Sequence, residues 1–347
     1  MRKAIPAVLL LLMSQPALAA APYHILRSVK VSGEGGFDYV TADSAGRRLY
    51  FARSGKTNPR LLAFDLDSLK QLGEIDGISA HGAVVDPKSH HGFASSKPIT
   101  MFDTATMATI KPIAVDGNPD GMTFDASSGR VYVLSHSAPG ITAINAADGT
   151  VVGTVDLGAA PEQTVGDGKG HLYVDLEDKD AVGVVDTKTL AVTSRYPLGD
   201  KHTPAGLALD PKTRVLFVAC RNPAALVMLN ADTGAILDTI PIGLGNDGVV
   251  FNPATREVFA SQGDGTLAVV KENSPTSFAL EQTLPTQSGG KTLTLDSKTG
   301  HIFVSRRSMA RYPRMRRRPA MAASPEGPCY RTASRSWKSD VRAKHYQ

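Results

Sequence analysis

The feature that most constrains this chain is a strand pattern that returns every forty-odd residues. An Asp or Asn closes a short apolar run at Asp43 (YVTAD), Asp86 (GAVVD), Asp125 (GMTFD), Asp167 (QTVGD), Asp210 (GLALD), Asn252 (GVVFN) and Asp296 (TLTLD), with spacings of 43, 39, 42, 43, 42 and 44 residues. Turn residues follow each anchor, as in DPKTR and NPATR, where Asp-Pro or Asn-Pro starts a tight turn. A second strand comes next (RRLYFA, RVYVLS, HLYVDL, VLFVAC, EVFAS, HIFVS), rich in the β-branched and aromatic residues that suit a packed pleated surface. The third ends in Asp or Asn (LLAFD, AVGVVD, LVMLN), and a turn such as ADTG leads to a fourth (VVGTVDLG, ILDTIPIG).

Four short antiparallel strands in about 40 residues match a propeller blade in length and pattern. A two-sheet sandwich would accommodate the strands but gives no reason for seven copies in register. The expectation is therefore an all-β, seven-bladed β-propeller over residues 21–305. The seventh unit shows only two strands, around Lys291–Asp296 and His301–Ser305. The alternating segment YHILRSVKVSG is expected to be an N-terminal strand closing that last blade as its outer strand. One strand is still missing, so the C-terminal blade is incomplete.

Segments such as GRVYVLS, LYVDLEDKDAVGVVDTKTL and LFVACRNPAALVMLNADTGAILDTIPIG resemble the YVTN repeat of YncE-like propellers, over roughly residues 23–305. The tetrapeptide itself is replaced by YFAR, YVLS and YVDL. The resemblance implies a WD40-like radial fold. It implies no single function, because such propellers include binding proteins and quinoprotein-related folds, and nucleic-acid binding has been suggested for some.

The two ends differ from the repeat. Arg2 and Lys3 precede an apolar run and the small-residue stretch Ala17-Leu18-Ala19, so residues 1–20 are expected to be a secretory signal peptide cut near Ala19. No stretch approaches the ~20 apolar residues of a membrane helix. The expected mature protein is periplasmic or secreted, monomeric and without a membrane span. Of the two cysteines, Cys220 lies in the apolar stretch VLFVAC and reads as a small buried hydrophobe, so disulfides are not expected to hold the fold.

The formal charge of +5 sits in the tail, where twelve Lys or Arg face two acids between Arg306 and Gln347. Removing that +10 and the two leader cations leaves −7 on the repeat region. Phosphate binding depends on Lys and Arg, so nucleic acid is a disfavoured partner. Residues 306–347 carry no strand pattern, and they are expected to be either a disordered basic tail or a frameshift product. Read one nucleotide earlier, RTASRSWKSDVR permits PDSFQVLEVGR and then a stop, a string that alternates like the missing third strand.

In a propeller the innermost strands line a central channel whose mouth favours ligands. Counting back five residues from each anchor gives Asp38, His81, Asp120, Glu162, Ala205, Asp247 and Lys291. Positions three and one before the anchors are mostly apolar, as at Val40, Met122, Leu207 and Leu293, and suit packing between blades. The six ionisable residues are expected to converge on the mouth as a ligand-binding ring; alternatively, each caps its own turn by an Asx-type hydrogen bond. Loops after the second strands should frame the same mouth with Arg53, Ser54, His136, Glu177, Arg221, Gln262 and Arg306, and His202 lies just upstream of the fifth inner strand. His90 and His91 are expected on the opposite face. The candidate metal ligands are Asp38, His81, Asp120, Glu162 and Asp247, for Ca²⁺ with oxygen donors or for Zn²⁺ or Mn²⁺ with His81 included.

Gly-x-Ser-x-Gly, HExxH, phosphate-loop and paired-cysteine patterns are all absent. The favoured function is therefore a non-catalytic binding or scaffold propeller of the cell envelope, with a small polar molecule, a peptide or a protein as partner. The alternative is a metal-assisted hydrolase or lactonase using the ring. Nucleic-acid binding and a cofactor-bearing dehydrogenase come behind both.

Overall fold

The computed structural model describes residues 23–33, 35–138 and 140–306. The leader, the tail beyond Arg306 and Cys329 lie outside these residues. The described chain forms six four-stranded antiparallel sheets and one two-stranded sheet. In every sheet the strands follow chain order, so each blade is a simple meander. The innermost strands are Val40–Asp43, Ala83–Asp86, Pro119–Asp125, Pro161–Gly166, His202–Asp210, Asn246–Asn252 and Gly290–Leu295. Each lies beside its counterparts in the adjacent blades, and the seventh lies beside the first. This closed arrangement is the seven-bladed propeller expected from the repeat.

The core is divided into layers between blades. Tyr50, Ala52, Leu61 and Ala63 of the first blade pack on Ala83, Ala94 and Phe102 of the second. Tyr132 and Leu134 of the third blade meet Leu172 and Val174 of the fourth in the same way. Burying each such Leu, Val or aromatic side chain contributes about 1.5–3 kcal/mol. A lone blade has no partner for those faces, which is why the units are stable only as a closed set.

The repeat anchors cap turns. Asp43 accepts from the Gly46 amide, Asp86 from Lys88, Asp167 from Lys169, Asp210 from Lys212, Asn252 from Ala254 and Asp296 from Lys298. The sequence keeps Asp or Asn there because a short acceptor reaches those amides. Capping thus belongs to the anchors, and the residues five positions earlier are free for another role.

The N-terminal segment departs from expectation in detail. Residues 23–33 form no strand ladder. Tyr23 binds the sixth blade, its amide donating to Gln282 at 3.0 Å, its hydroxyl to Glu257, and its ring meeting Phe259 edge-on. Val31 packs in an apolar layer that contains Phe303 of the seventh blade and Leu62 of the first. The segment thus passes beside the seventh blade without pairing to it. An outer strand needs a third strand to bond to, and the seventh sheet has only Gly290–Leu295 and Ile302–Arg306 among the described residues.

Candidate functional site

At five of the seven ring positions the innermost strands carry one residue more than their partners. In the third blade Met122 faces Val133 and Pro119 faces Ser135, so Asp120 and Gly121 together oppose Leu134. The same extra residue occurs at Glu162–Gln163, at Ala205, at Asp247 and at Lys291–Thr292. A bulge breaks the alternation of a strand and re-aims a side chain. Here the re-aimed side chains meet around the axis.

They form a closed circuit in which acids alternate with bases. His81 Nδ1 lies 3.4 Å from Asp38 and 3.2 Å from Asp120. His136 Nε2 lies 3.4 Å from Asp120 and 3.3 Å from Glu162. Arg221 stands 3.7 Å from Glu162, 2.6 Å from Glu177 and 2.5 Å from Asp247. Lys291 closes the circuit at 3.6 Å from Asp247 and 2.8 Å from Asp38. The fifth blade offers Ala205 at its ring position, fully buried, and Arg221 at the end of that blade's second strand fills the gap.

Below the circuit the axis is plugged. Tyr39 crosses from the first blade and donates its hydroxyl to the Glu162 carbonyl at 3.0 Å. Gln163 donates to the Asp247 carbonyl at 3.1 Å and accepts from the Leu207 amide at 3.2 Å, linking the fourth, sixth and fifth blades. Glycines make room for Tyr39: a Cβ on Gly82 would stand 2.7 Å from its Cβ, and one on Gly121 would stand 3.1 Å from its hydroxyl. The site is a cup, not a channel. Position four before each anchor reads Tyr39, Gly82, Gly121, Gln163, Gly206, Gly248, Thr292, and the two large exceptions among glycines were the signal for this plug.

The electrostatics divide the cup. Burial, aided by Asp38 and Glu162 and opposed by the histidines, pushes the Asp120 carboxyl up to about 6. Glu162 holds the His136 imidazole up to about 9, with Asp120 adding to the effect, and Asp38 likewise raises His81. Burial works to raise Asp38, but His81 and Lys291 outweigh it and leave that carboxyl lowered. Asp247 is raised by burial, which Lys291 and Arg221 only partly offset. Behind the ring Asp175 is fully buried with both oxygens unpartnered, and burial, with Glu162 adding, raises its carboxyl well above the usual range. Strand patterning did not single this residue out.

Of the residues expected at the mouth, His136, Glu177 and Arg221 join the circuit and four others do not. Arg53 turns to the N-terminal segment and donates to the Val31 carbonyl at 2.6 Å. Ser54 pairs its backbone with Gly36. Gln262 is fully buried within the sixth blade, accepting from Thr266. His202 pairs with Asp180 at 2.8 Å, outside the ring. Each is diverted by a nearer partner. Arg306 ends the strand Ile302–Arg306 opposite Gly290. His91 bonds the Ala146 carbonyl at 3.0 Å, at the anchor-turn face away from the cup.

Two trios could hold a cation: Asp38, His81 and Asp120, and Asp120, His136 and Glu162, each offering atoms within 4.8 Å of one another. Asp247 belongs to neither, because Arg221 and Lys291 flank it. Their His and carboxylate donors suit Zn²⁺ or Mn²⁺ better than an all-oxygen Ca²⁺ site.

No family model matches this chain, and no curated protein matches it in sequence. Among solved structures it is similar to a chain in the crystal structure of the mitotic checkpoint complex, at 12% identity and a TM-score of 0.71, covering 88% of this chain and 96% of that one. It is also similar to a chain of Kuenenia stuttgartiensis hydrazine synthase (13%, 0.66, 82% and 99%) and to streptogramin B lyase (15%, 0.63, 77% and 89%). At such identities the likeness is one of fold, and that fold is the β-propeller.

Proposed function

We propose that this chain is an exported binding protein whose axial cup captures a small polar ligand or a peptide terminus. The observation that carries this reading is the circuit of alternating acids and bases lying above a plugged axis, since concave sites with convergent polar groups are where propellers take ligands. The carboxylates of Asp38, Asp120, Glu162, Glu177 and Asp247 outnumber the bases Arg221, Lys291, His81 and His136, so an ammonium group on the ligand is favoured over an anion. Calorimetric titration of the full chain with amino acids, diamines and dipeptides tests the reading. Binding should weaken at least tenfold in Glu162→Gln; no heat from any of these compounds, or affinity unchanged in that variant, would refute it.

Export rests on the leader residues 1–20. Fractionation with N-terminal sequencing should find a periplasmic or secreted form beginning after Ala19 or Ala20, and an intact Met1 on the working protein would count against it. The YVTN-like wording of the repeats supports membership among YncE-like propellers, which an alignment of homologues sharing the seven anchors would test.

A second reading is favoured by the two His–carboxylate trios. A divalent cation held there would polarise a carbonyl and activate water, making the cup a hydrolase or lactonase. Hydrolysis of 4-nitrophenyl acetate or γ-butyrolactone by Mn²⁺- or Zn²⁺-loaded protein, lost with chelator, is the expected result; equal rates with and without metal would remove it.

A further inference from the structure

We propose that Asp120 bridges two divalent cations in the axial cup, one held with Asp38 and His81 and the other with His136 and Glu162. The inference deepens the reading of the cup as a binding site and rests on it only for its purpose, not for its geometry.

Spacing is the first ground. The four His–carboxylate separations in the circuit run from 3.2 to 3.4 Å. Two donors each about 2.1 Å from a tetrahedral ion stand about 3.4 Å apart, so each pair already has the spacing of two ligands of one ion. The other wide pairs of the circuit, Arg221–Glu162 at 3.7 Å and Lys291–Asp247 at 3.6 Å, carry a permanent cation in place of a donor.

Asp120 supplies the second ground. Its Oδ1 faces His81 Nδ1 at 3.2 Å and its Oδ2 faces His136 Nε2 at 3.4 Å, so the two oxygens point to different histidines. Oδ1 is buried and has no hydrogen-bond partner. A buried acceptor that faces a nitrogen without forming a hydrogen bond to it is costly unless something else satisfies it. A bridging carboxylate satisfies both oxygens.

The remaining donors are oriented from outside. Lys291 takes Asp38 Oδ1 at 2.8 Å and leaves Oδ2 turned to His81, while Arg221 stands on Glu162 Oε1 and leaves Oε2 turned to His136. Each cation would have three protein donors and an open position, the arrangement of a reactive rather than a structural site. The side chains of His81 and His136 are 44% and 45% exposed, so the open positions are reachable from the mouth.

The test is metal content and titration on the untagged full chain. After stripping and reloading, the wild type should hold two equivalents of Zn²⁺ or Mn²⁺, His81→Ala and His136→Ala one each, and Asp120→Asn less than one. His202→Ala should leave the count unchanged. The Mn²⁺-loaded protein should show the paramagnetic resonance of a coupled pair. A wild type holding one equivalent or none, or an Asp120→Asn variant keeping two with unaltered affinity, overturns the proposal; circular dichroism and Tm confirm that each variant is folded. Ligand titration beside the metal count separates the two readings: a protein that takes up no metal yet binds amines sinks the cation pair and leaves the binding cup standing, whereas a two-metal protein that binds no ligand with or without chelator does the reverse.

Discussion

Arg47 of the first blade places Nη1 2.9 and 2.8 Å from the two carboxylate oxygens of Asp296, the turn anchor of the seventh. The same guanidinium also binds Asp67 of its own blade. Arg214 does likewise inside the ring, 3.0 Å from the anchor Asp167 of the preceding blade and 2.7 Å from Asp232 of its own. Closure of the propeller thus reuses an internal interface: the last blade is clasped to the first as the fourth is to the fifth.

Acid should open that clasp. Burial works to raise the Asp296 carboxyl, but hydrogen bonds from Thr299, Arg47 and Ser44 outweigh it and hold it at about 2. A carboxyl held below its ordinary value of about 3.9 stabilises the fold above that value and loses the contribution as pH falls toward its folded value. Thermal melts should therefore lose Tm most steeply between about pH 4 and pH 2. Arg47→Ala should lower Tm at pH 7 and flatten this fall. A variant with the wild-type acid profile would show that the clasp contributes nothing.

The plug makes Tyr39 and Gly82 interdependent. Gly82→Ala should destabilise by about 1–3 kcal/mol through overpacking against Tyr39, and Tyr39→Gly by about 3–5 kcal/mol through the space it leaves. In the double variant the losses should fall short of additive, because Tyr39→Gly removes the Cβ that the new methyl group would strike. Denaturant unfolding of the four proteins measures this; strict additivity would argue against the plug.

Cys220 should be inert. It is fully buried, and burial pushes its thiol up to about 12, so almost no thiolate is present at neutral pH. A Cys329→Ser protein should give no colour with Ellman's reagent until it is unfolded. Rapid labelling of the native form would contradict the packing of the fifth blade.

Among the described residues the seventh sheet has two strands, and the tail beyond Arg306 carries no strand pattern in its sequence. Resequencing the gene around the Arg306 codon should reveal a one-nucleotide shift that restores PDSFQVLEVGR as the third strand. A chain carrying that sequence should melt higher than the present one, because the N-terminal segment would gain a strand to pair with. An unambiguous in-frame read through Trp337 would settle the matter the other way.

Blade number, strand order and the ring positions were legible because each depends on local, repeated chemistry. Asp or Asn after an apolar strand caps a turn in every unit, and counting from that cap finds Asp38, His81, Asp120, Glu162, Asp247 and Lys291 without a structure. Arg53, Ser54, Gln262 and His202 misled for the opposite reason. Arg53, Ser54 and Gln262 occupy positions equivalent to those of His136 and Arg221, and His202 precedes an inner strand, but each has a closer partner away from the axis.

The sequence by itself determined that this chain closes seven units into a propeller and gathers ionisable residues at its axis, since periodic apolar faces can be buried only against one another. Only the tertiary structure decided that Arg221 stands in for Ala205, that His136 enters between Asp120 and Glu162, and that Tyr39 and Gln163 floor the cup. Those relationships join residues from different blades across the axis. They depend on bulges and on unequal side-chain sizes at equivalent positions, and a repeat pattern averages such differences away.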